Sequence, residues 1–201
     1  NIWYSPGVAE VCKIIKNYPE KVFDYTNKGN IIAIVNDGTR ILGLGNIGPE
    51  AGLPVMEGKA LLFKYLGGVD AIPLSINTTN ADEIINFCKW IEPSFGGINL
   101  EDIEKPKCFY ILEQLVKESN IPVWHDDQQG TATVVVSGVI NSLKVVDKKI
   151  DQIDVSLIGS GAANINIAKL LIAAGVNPKK ILMVDSKGIL NKHREELQDD
   201  S

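Results

Sequence analysis

No uninterrupted apolar run in this 201-residue sequence approaches the roughly 20 residues that cross a bilayer, and no basic stretch precedes an apolar one near its start. A membrane span is therefore not expected. Cysteine is scarce. Cys12, Cys88 and Cys108 are scattered, odd in number and without C-x-x-C spacing, so they read as reduced thiols in a cytoplasmic setting. Basic charge is in deficit, with 20 Lys and Arg against 25 Asp and Glu and a net charge of −5. A nucleic-acid partner wants a basic face and is disfavoured. Lys148 with Lys149, and Lys179 with Lys180, read as solvated helix or loop ends. Internal repeats and low-complexity tracts are absent, and the first residue is Asn1 rather than Met, so a preceding N-terminal piece is expected.

What is present is apolar and patterned. Hydrophobic residues make up 45% of the chain, too much for disorder, and the length allows one large domain or two small ones. Strand-like and helix-like periods alternate almost throughout. Strands are predicted at 31–35, 69–76, 98–100, 123–124, 155–158 and 181–184. Helices are predicted at 8–16, 57–65, 82–90 with Asn80 as cap, 108–116 opened by Pro106, 131–145 and 165–174. The last two are apolar on most faces and should be deeply buried. This alternation argues an α/β fold with largely parallel strands. The best boundary lies near Gly130, and the residues from Ser186 onward read as a turn and a polar tail, leaving a sheet edge exposed at Val184.

The run VSLIGSGAANINIA at 155–168 is a buried-strand pattern, a tight turn and a helix. Gly159 permits the turn, Gly161 lets backbone approach a pyrophosphate, and a helix N-terminus attracts the anion. Asp185 ends the next strand, somewhat beyond the roughly 20-residue spacing of a ribose-binding acid. Asn164 occupies the third position of G-x-G-x-x-G, where a bulky polar side chain should push the helix from the strand or alter the phosphate approach. The alternative is a glycine-rich turn that holds no nucleotide.

Two acidic pairs follow predicted strands: Glu101 with Asp102, and Asp126 with Asp127. Ligands bind at the C-terminal ends of strands in such sheets. Carboxylates converging there suit a hard divalent cation, Mg²⁺ or Mn²⁺, although acids in this place also cap helices. His125 beside them reads as a structural partner. Lys59, at the start of an apolar helix, is a general base if it faces such a site and a snorkelling surface lysine if it does not. The glycine-dense run NDGTRILGLGNIG at 36–48 suggests close approach of backbone to something. Arg40 within it either clamps a carboxylate or lies solvated on a plain turn. Tyr4 would pass for a packing aromatic.

Together, the runs YSPGVAEVC at 4–12, DGTRILGLGNIG at 37–48, LPVMEGKALLFK at 53–64, GGINLED at 96–102 and HDDQQGT at 125–131, with the glycine turn, resemble the malic enzyme family in its shorter prokaryotic-type form. The resemblance runs in order along nearly the whole chain. It implies residues 1–129 as a malate- and metal-binding catalytic domain, and 130–201 as the first part of an incomplete Rossmann-like dinucleotide domain. It implies oxidative decarboxylation of L-malate to pyruvate and CO₂ with NAD, NADP being the alternative, and with Mg²⁺ or Mn²⁺, in a homodimer. Tyr4 matches the family's general acid, Lys59 its base and Asp126 the acid that partners the base. Glu101, Asp102 and Asp127 match its metal ligands, and Arg40 its substrate clamp. Gly159, Gly161 and Ala163 fall on the dinucleotide turn, and Asp185 on the acid ending the next strand. Gln129 stands where prokaryotic members often have His. Malolactic chemistry, which releases lactate, and a non-catalytic binding or assembly module are the competing expectations.

Overall fold

Residues Ile31–Asn36 (β1) read IIAIVN, and every residue from Ala33 onward is buried, as a strand covered on both faces requires. The computed structural model describes residues 2–194. In it β1 pairs in parallel with Asp70–Ser75 (β2) on one side and with Gly97–Leu100 (β3) on the other. Val123–His125 (β4) completes the order β2-β1-β3-β4. Register aligns the C-terminal ends: Val35 stands opposite Leu100, and the Glu101 amide donates to the Val35 carbonyl at 3.0 Å. The residues that follow β1 and β3 are thereby placed side by side.

The chain divides into two compact units, Asn1–Trp124 and His125–Ser201. The first carries Val8–Asn17 (α1), Val22–Tyr25 (α2), Pro49–Gly67 (α3), Ala81–Ile91 (α4) and Lys107–Glu118 (α5). Asn80 caps α4 as expected, its side chain accepting from the amides of Asp82 and Glu83. Helix α5 opens at Pro106 and buries Cys108, Ile111, Leu112 and Leu115. Helix α3 starts eight residues earlier than the sequence pattern suggests, with Pro54 inside it. Pro49 serves as the favoured first residue, and burial of Gly52 and Met56 offsets the one backbone bond that Pro54 cannot donate. Its core cluster is Ile34, Ile41 and Met56.

The second unit carries Thr131–Val145 (α6), Val155–Ile158 (β5), Ala162–Ala173 (α7), Ile181–Asp185 (β6) and Gly188–Ile189 (β7). Strands β5 and β6 run parallel and β7 returns antiparallel, in the order β5-β6-β7. Ala132, Val136, Leu157, Ile167, Leu171 and Val176 form its core.

Two expectations need correction here. Helices α6 and α7 are not deeply buried. Only Ala132 and Val136 of α6, and Ile167 and Leu171 of α7, are buried, while Val134 and Val145 are largely exposed. Each helix packs a stripe on the unit's core, while other apolar side chains, among them Val134, Val145 and Ile172, stay exposed. Nor is the sheet edge at Val184 exposed. Val184 pairs with Ile158 on one side and with Ile189 on the other, because the turn after Asp185 folds a short strand back. Residues 195–201 of the expected polar tail, and Asn1, lie outside the described residues.

Candidate active site

The glycine-dense loop closes on itself. Gly38 has φ +71°, and a Cβ there would lie 2.2 Å from the Gly48 carbonyl carbon. Its carbonyl accepts from the amides of Ile47 and Gly48. The close approach anticipated from the sequence is thus chain against chain, and it delivers the polypeptide into α3. Arg40 sits on this loop with its side chain exposed, Nη1 donating to the Leu42 carbonyl at 2.6 Å. Its backbone amide donates to the Asp102 carbonyl at 3.1 Å, which ties the loop after β1 to the loop after β3.

Glu101 and Asp102 leave β3 as buried carboxylates, and Asp102 takes the uncommon left-handed conformation at φ +53°. Lys59, from the third turn of α3, reaches Glu101 Oε1 at 3.0 Å, with the two side chains 20% and 8% exposed. It faces the carboxylates rather than snorkelling. Asn99, one pleat earlier on β3, donates to Glu101 Oε2 at 2.8 Å. A buried glutamate is thus held at both oxygens by a cation and an amide, the compensation burial demands.

In the second unit Asp126–Gly130 forms a single π-turn leading into α6. Such bulges widen the helix and re-aim side chains. A Cβ at Gly130 would lie 2.1 Å from Asp126 Oδ1, so the carboxylate occupies the space that only glycine leaves. His125 is fully buried, with Nε2 3.7 Å from Asp127 Oδ2 and its backbone amide donating to Gln129 Oε1 at 2.9 Å. Burial holds the imidazole below its ordinary pKa, against the upward pull of Asp127 and Asp126. Gln128, also buried, accepts from Asn166 Nδ2 at 3.0 Å, fastening the π-turn to α7.

The turn between β5 and α7 has Gly159 at φ +105° and Gly161 preceding the helix. Asn164 does not push the helix away. Its Nδ2 donates to the carbonyls of Ile158 at 2.8 Å and Gly159 at 3.0 Å, so the side chain bridges helix to strand end. Ala163 is the second residue of α7. Asp185 closes β6, accepting from the Lys187 amide and, through both oxygens, from Arg194 at 2.9 and 3.0 Å. The Arg194 hydrogen bond holds its carboxyl below the ordinary value.

Lys59, Glu101, Asp102 and Arg40 are therefore gathered at the strand ends of the first unit. Asp126 and Asp127 stand at the head of α6, and the dinucleotide candidates surround the β5–α7 turn. Tyr4 is four-fifths exposed.

The domain model for the malic enzyme N-terminal domain matches residues 1–116, and that for the malic enzyme NAD-binding domain matches residues 128–201. The chain belongs to the malic enzyme family. It is 58% identical over 191 residues to a bifunctional malic/malolactic enzyme from Bacillus subtilis, covering 95% of this chain and 46% of that protein. It is 53% identical to an NAD-dependent malic enzyme from Geobacillus stearothermophilus, covering 96% and 40%. Among solved structures, the malic enzyme from Pyrococcus horikoshii superposes with a TM-score of 0.90 at 59% identity, covering 92% of this chain and 42% of that one. The NAD-dependent malic enzyme of Thermotoga maritima gives 0.92 at 52% identity, covering 97% and 51%. The chain thus spans about half the length of these malic enzymes, or less.

Several residues of this malic enzyme segment escaped the reading of the sequence. Asn99 reads as an ordinary strand residue, and the available signal is its i, i+2 spacing from Glu101, which follows β3. Asp37, Thr39 and Lys107 form a largely buried network. Only the Asp-x-Thr spacing, typical of a side chain bonding two residues on, hinted at part of it. Gln128 and Asn166 pair across 38 residues, and nothing local announces that contact.

Proposed function

We propose that this chain carries the malate- and metal-binding part, residues 1–129, and the first part of the dinucleotide domain, residues 130–201, of an enzyme that oxidatively decarboxylates L-malate to pyruvate and CO₂. The observation that carries the reading is the ion pair between half-buried Lys59 and buried Glu101, adjoining Asp102 and Arg40 at the ends of β1 and β3. Restricted solvent access disfavours the ammonium form of a lysine, which is what a base in this chemistry needs.

Glu101, Asp102 and Asp127 are the residues to hold a divalent cation. The donor set is all oxygen, which fits Mg²⁺ or Mn²⁺, and Asp127 follows by two residues the strand that neighbours β3 in the sheet. When bound, the cation supplies Lewis-acid polarisation at C2 of malate and stabilises enolate charge. Arg40 holds the substrate carboxylate with its guanidinium fork. Lys59 takes the C2 hydroxyl proton at Nζ as C2 loses hydride to the dinucleotide. As a base it acts in its neutral form, and Asp126 partners it. Loss of CO₂ leaves an enolate, and Tyr4 returns a proton to C3 from its hydroxyl.

NAD is the dinucleotide we assign, with Gly159, Gly161 and Ala163 beside the pyrophosphate and ionised Asp185 toward the ribose. Arg194 beside Asp185 offers a 2′-phosphate a partner, so NADP is the second candidate. The free thiols fit a cytoplasmic setting, no described helix is long and apolar enough to cross a membrane, and exposed Trp3 and Tyr4 fit a homodimer in which such surfaces are covered.

The test incubates the protein with L-malate, Mn²⁺ and NAD, following absorbance at 340 nm and both organic acids. Pyruvate formed in step with NADH supports the proposal. Lactate without NADH accumulation selects the malolactic reading, which the likeness to the bifunctional relative favours as second choice. Mn²⁺ binding with no turnover of malate refutes catalysis by this chain and leaves a binding module.

A further inference from the structure

We propose that Asp37 is a positioning residue which, through Thr39 and Lys107, locks the loop carrying Arg40 to the loop carrying Glu101 and Asp102. The inference rests on the metal-site reading of those two carboxylates and deepens it.

Asp37 follows β1 directly, and its side chain is wholly buried. Its Oδ1 accepts from the Thr39 amide at 3.1 Å and from Thr39 Oγ1 at 2.6 Å. Its Oδ2 lies 2.6 Å from Lys107 Nζ, which is itself only 15% exposed. Thr39 Oγ1 then accepts from the Glu104 amide at 3.0 Å, two residues beyond Asp102. Lys107 additionally meets Glu104 Oε1 at 3.4 Å and donates to the Thr79 carbonyl at 3.2 Å. Three connections therefore run from the 37–40 segment to the 102–107 segment: Asp37 to Lys107, Thr39 to Glu104, and the Arg40 amide to the Asp102 carbonyl.

This placement has a purpose that stabilising the fold does not account for by itself. Asp102 holds a left-handed backbone, a conformation disfavoured for a residue with a Cβ, and needs its neighbours to hold it. The flanking segment is pinned on both sides of that strained residue, by the Arg40 amide at Asp102 itself and by Thr39 at Glu104. The carboxylate's direction follows from the backbone angle so imposed. Arg40 and the cation-binding acids, which must engage one substrate together, are held in a common frame by a buried charge pair that touches neither substrate nor metal.

Electrostatics and positioning predict opposite signs for one substitution. Lys107 is a cation near acids that bind a cation, so by charge alone its removal leaves Mn²⁺ binding unchanged or tighter. Positioning predicts that Lys107→Met weakens it. Mn²⁺ affinity is read from the free-ion electron paramagnetic resonance signal during titration of the 201-residue chain, with near-ultraviolet circular dichroism confirming the fold. We expect Lys107→Met and Thr39→Val to weaken Mn²⁺ at least about tenfold, and Lys107→Arg, which keeps the pair, to stay within about threefold of the unsubstituted chain. Lys107→Met or Thr39→Val that is folded and binds Mn²⁺ as tightly as the unsubstituted chain overturns the inference and leaves the metal reading standing. An unsubstituted chain that binds no Mn²⁺ overturns both. If Lys107→Met does not fold, the volume-matched Thr39→Val decides.

Discussion

Lys59 is the side chain on which the proposed chemistry turns, and its surroundings say what its loss does. It is held 3.0 Å from Glu101 with its side chain 20% exposed. Lys59→Ala is expected to lower NADH formation from malate by about 10²–10⁴-fold, the range for removing a positioned general base. Tyr4→Phe should leave hydride transfer near its original rate and slow the protonation of C3, so pyruvate lags behind NADH. Unimpaired pyruvate yield from both variants would sink the role assignments. Asp185 offers a pH test. Arg194 lowers its folded pKa beneath the ordinary value of 3.8. The linked stabilisation is therefore present above that ordinary value and is lost as pH falls through the lowered one. In Arg194→Ala the Asp185 carboxyl should titrate closer to 3.8, read by carbon-detected NMR of the side-chain carboxyl.

At the scale of elements, the loop between β1 and α3 is held closed by its own backbone. Gly38 combines a positive φ with backbone contact that excludes a Cβ. Gly38→Ala should cost about 3 kcal/mol, from the left-handed backbone and the overlap with Gly48 together, and is measured as a lowered denaturant midpoint. A midpoint equal to that of the unsubstituted chain contradicts this account of the loop. The π-turn at Asp126–Gly130 obeys the same logic, since Gly130 yields to Asp126 the volume a side chain would fill. Asn164 shows how local reasoning can mistake the sign of an effect. Judged by size it should part α7 from β5, yet its amide satisfies two carbonyls at the strand end and joins them.

For the whole molecule, the apolar surface left uncovered carries the prediction. Ile158 on β5 is 85% exposed and Val145 at the end of α6 is 86% exposed. Strand β5 pairs only with β6 among the described residues, so its other edge, which carries exposed Ile158, has no strand partner there. Sedimentation velocity of the chain alone should show concentration-dependent association, reduced by Ile158→Lys, because a charge on an open edge opposes strand addition. A monodisperse monomer across concentrations contradicts this reading of the edge.

The sequence by itself determined the order and type of almost every element, because apolar period and turn residues act over a few positions along the chain. It likewise marked Glu101, Asp102, Lys59, Arg40 and the glycine turn, since each lies in a compact motif. Element ends were less legible: α3 runs through Pro54 because burial of Gly52 and Met56 outweighs a local helix-breaking preference. Only the tertiary structure decided which side chains meet. Lys59 with Glu101, and Asp37 with Lys107, are separated by 42 and 70 positions, brought together by sheet register and helix packing. Such contacts leave no local trace, because their free energy comes from burial that exists only after the chain has closed. The same reason explains why α6 and α7, apolar enough to be core helices, stand partly uncovered: composition sets what a surface prefers, and only the assembled neighbours settle whether it is met.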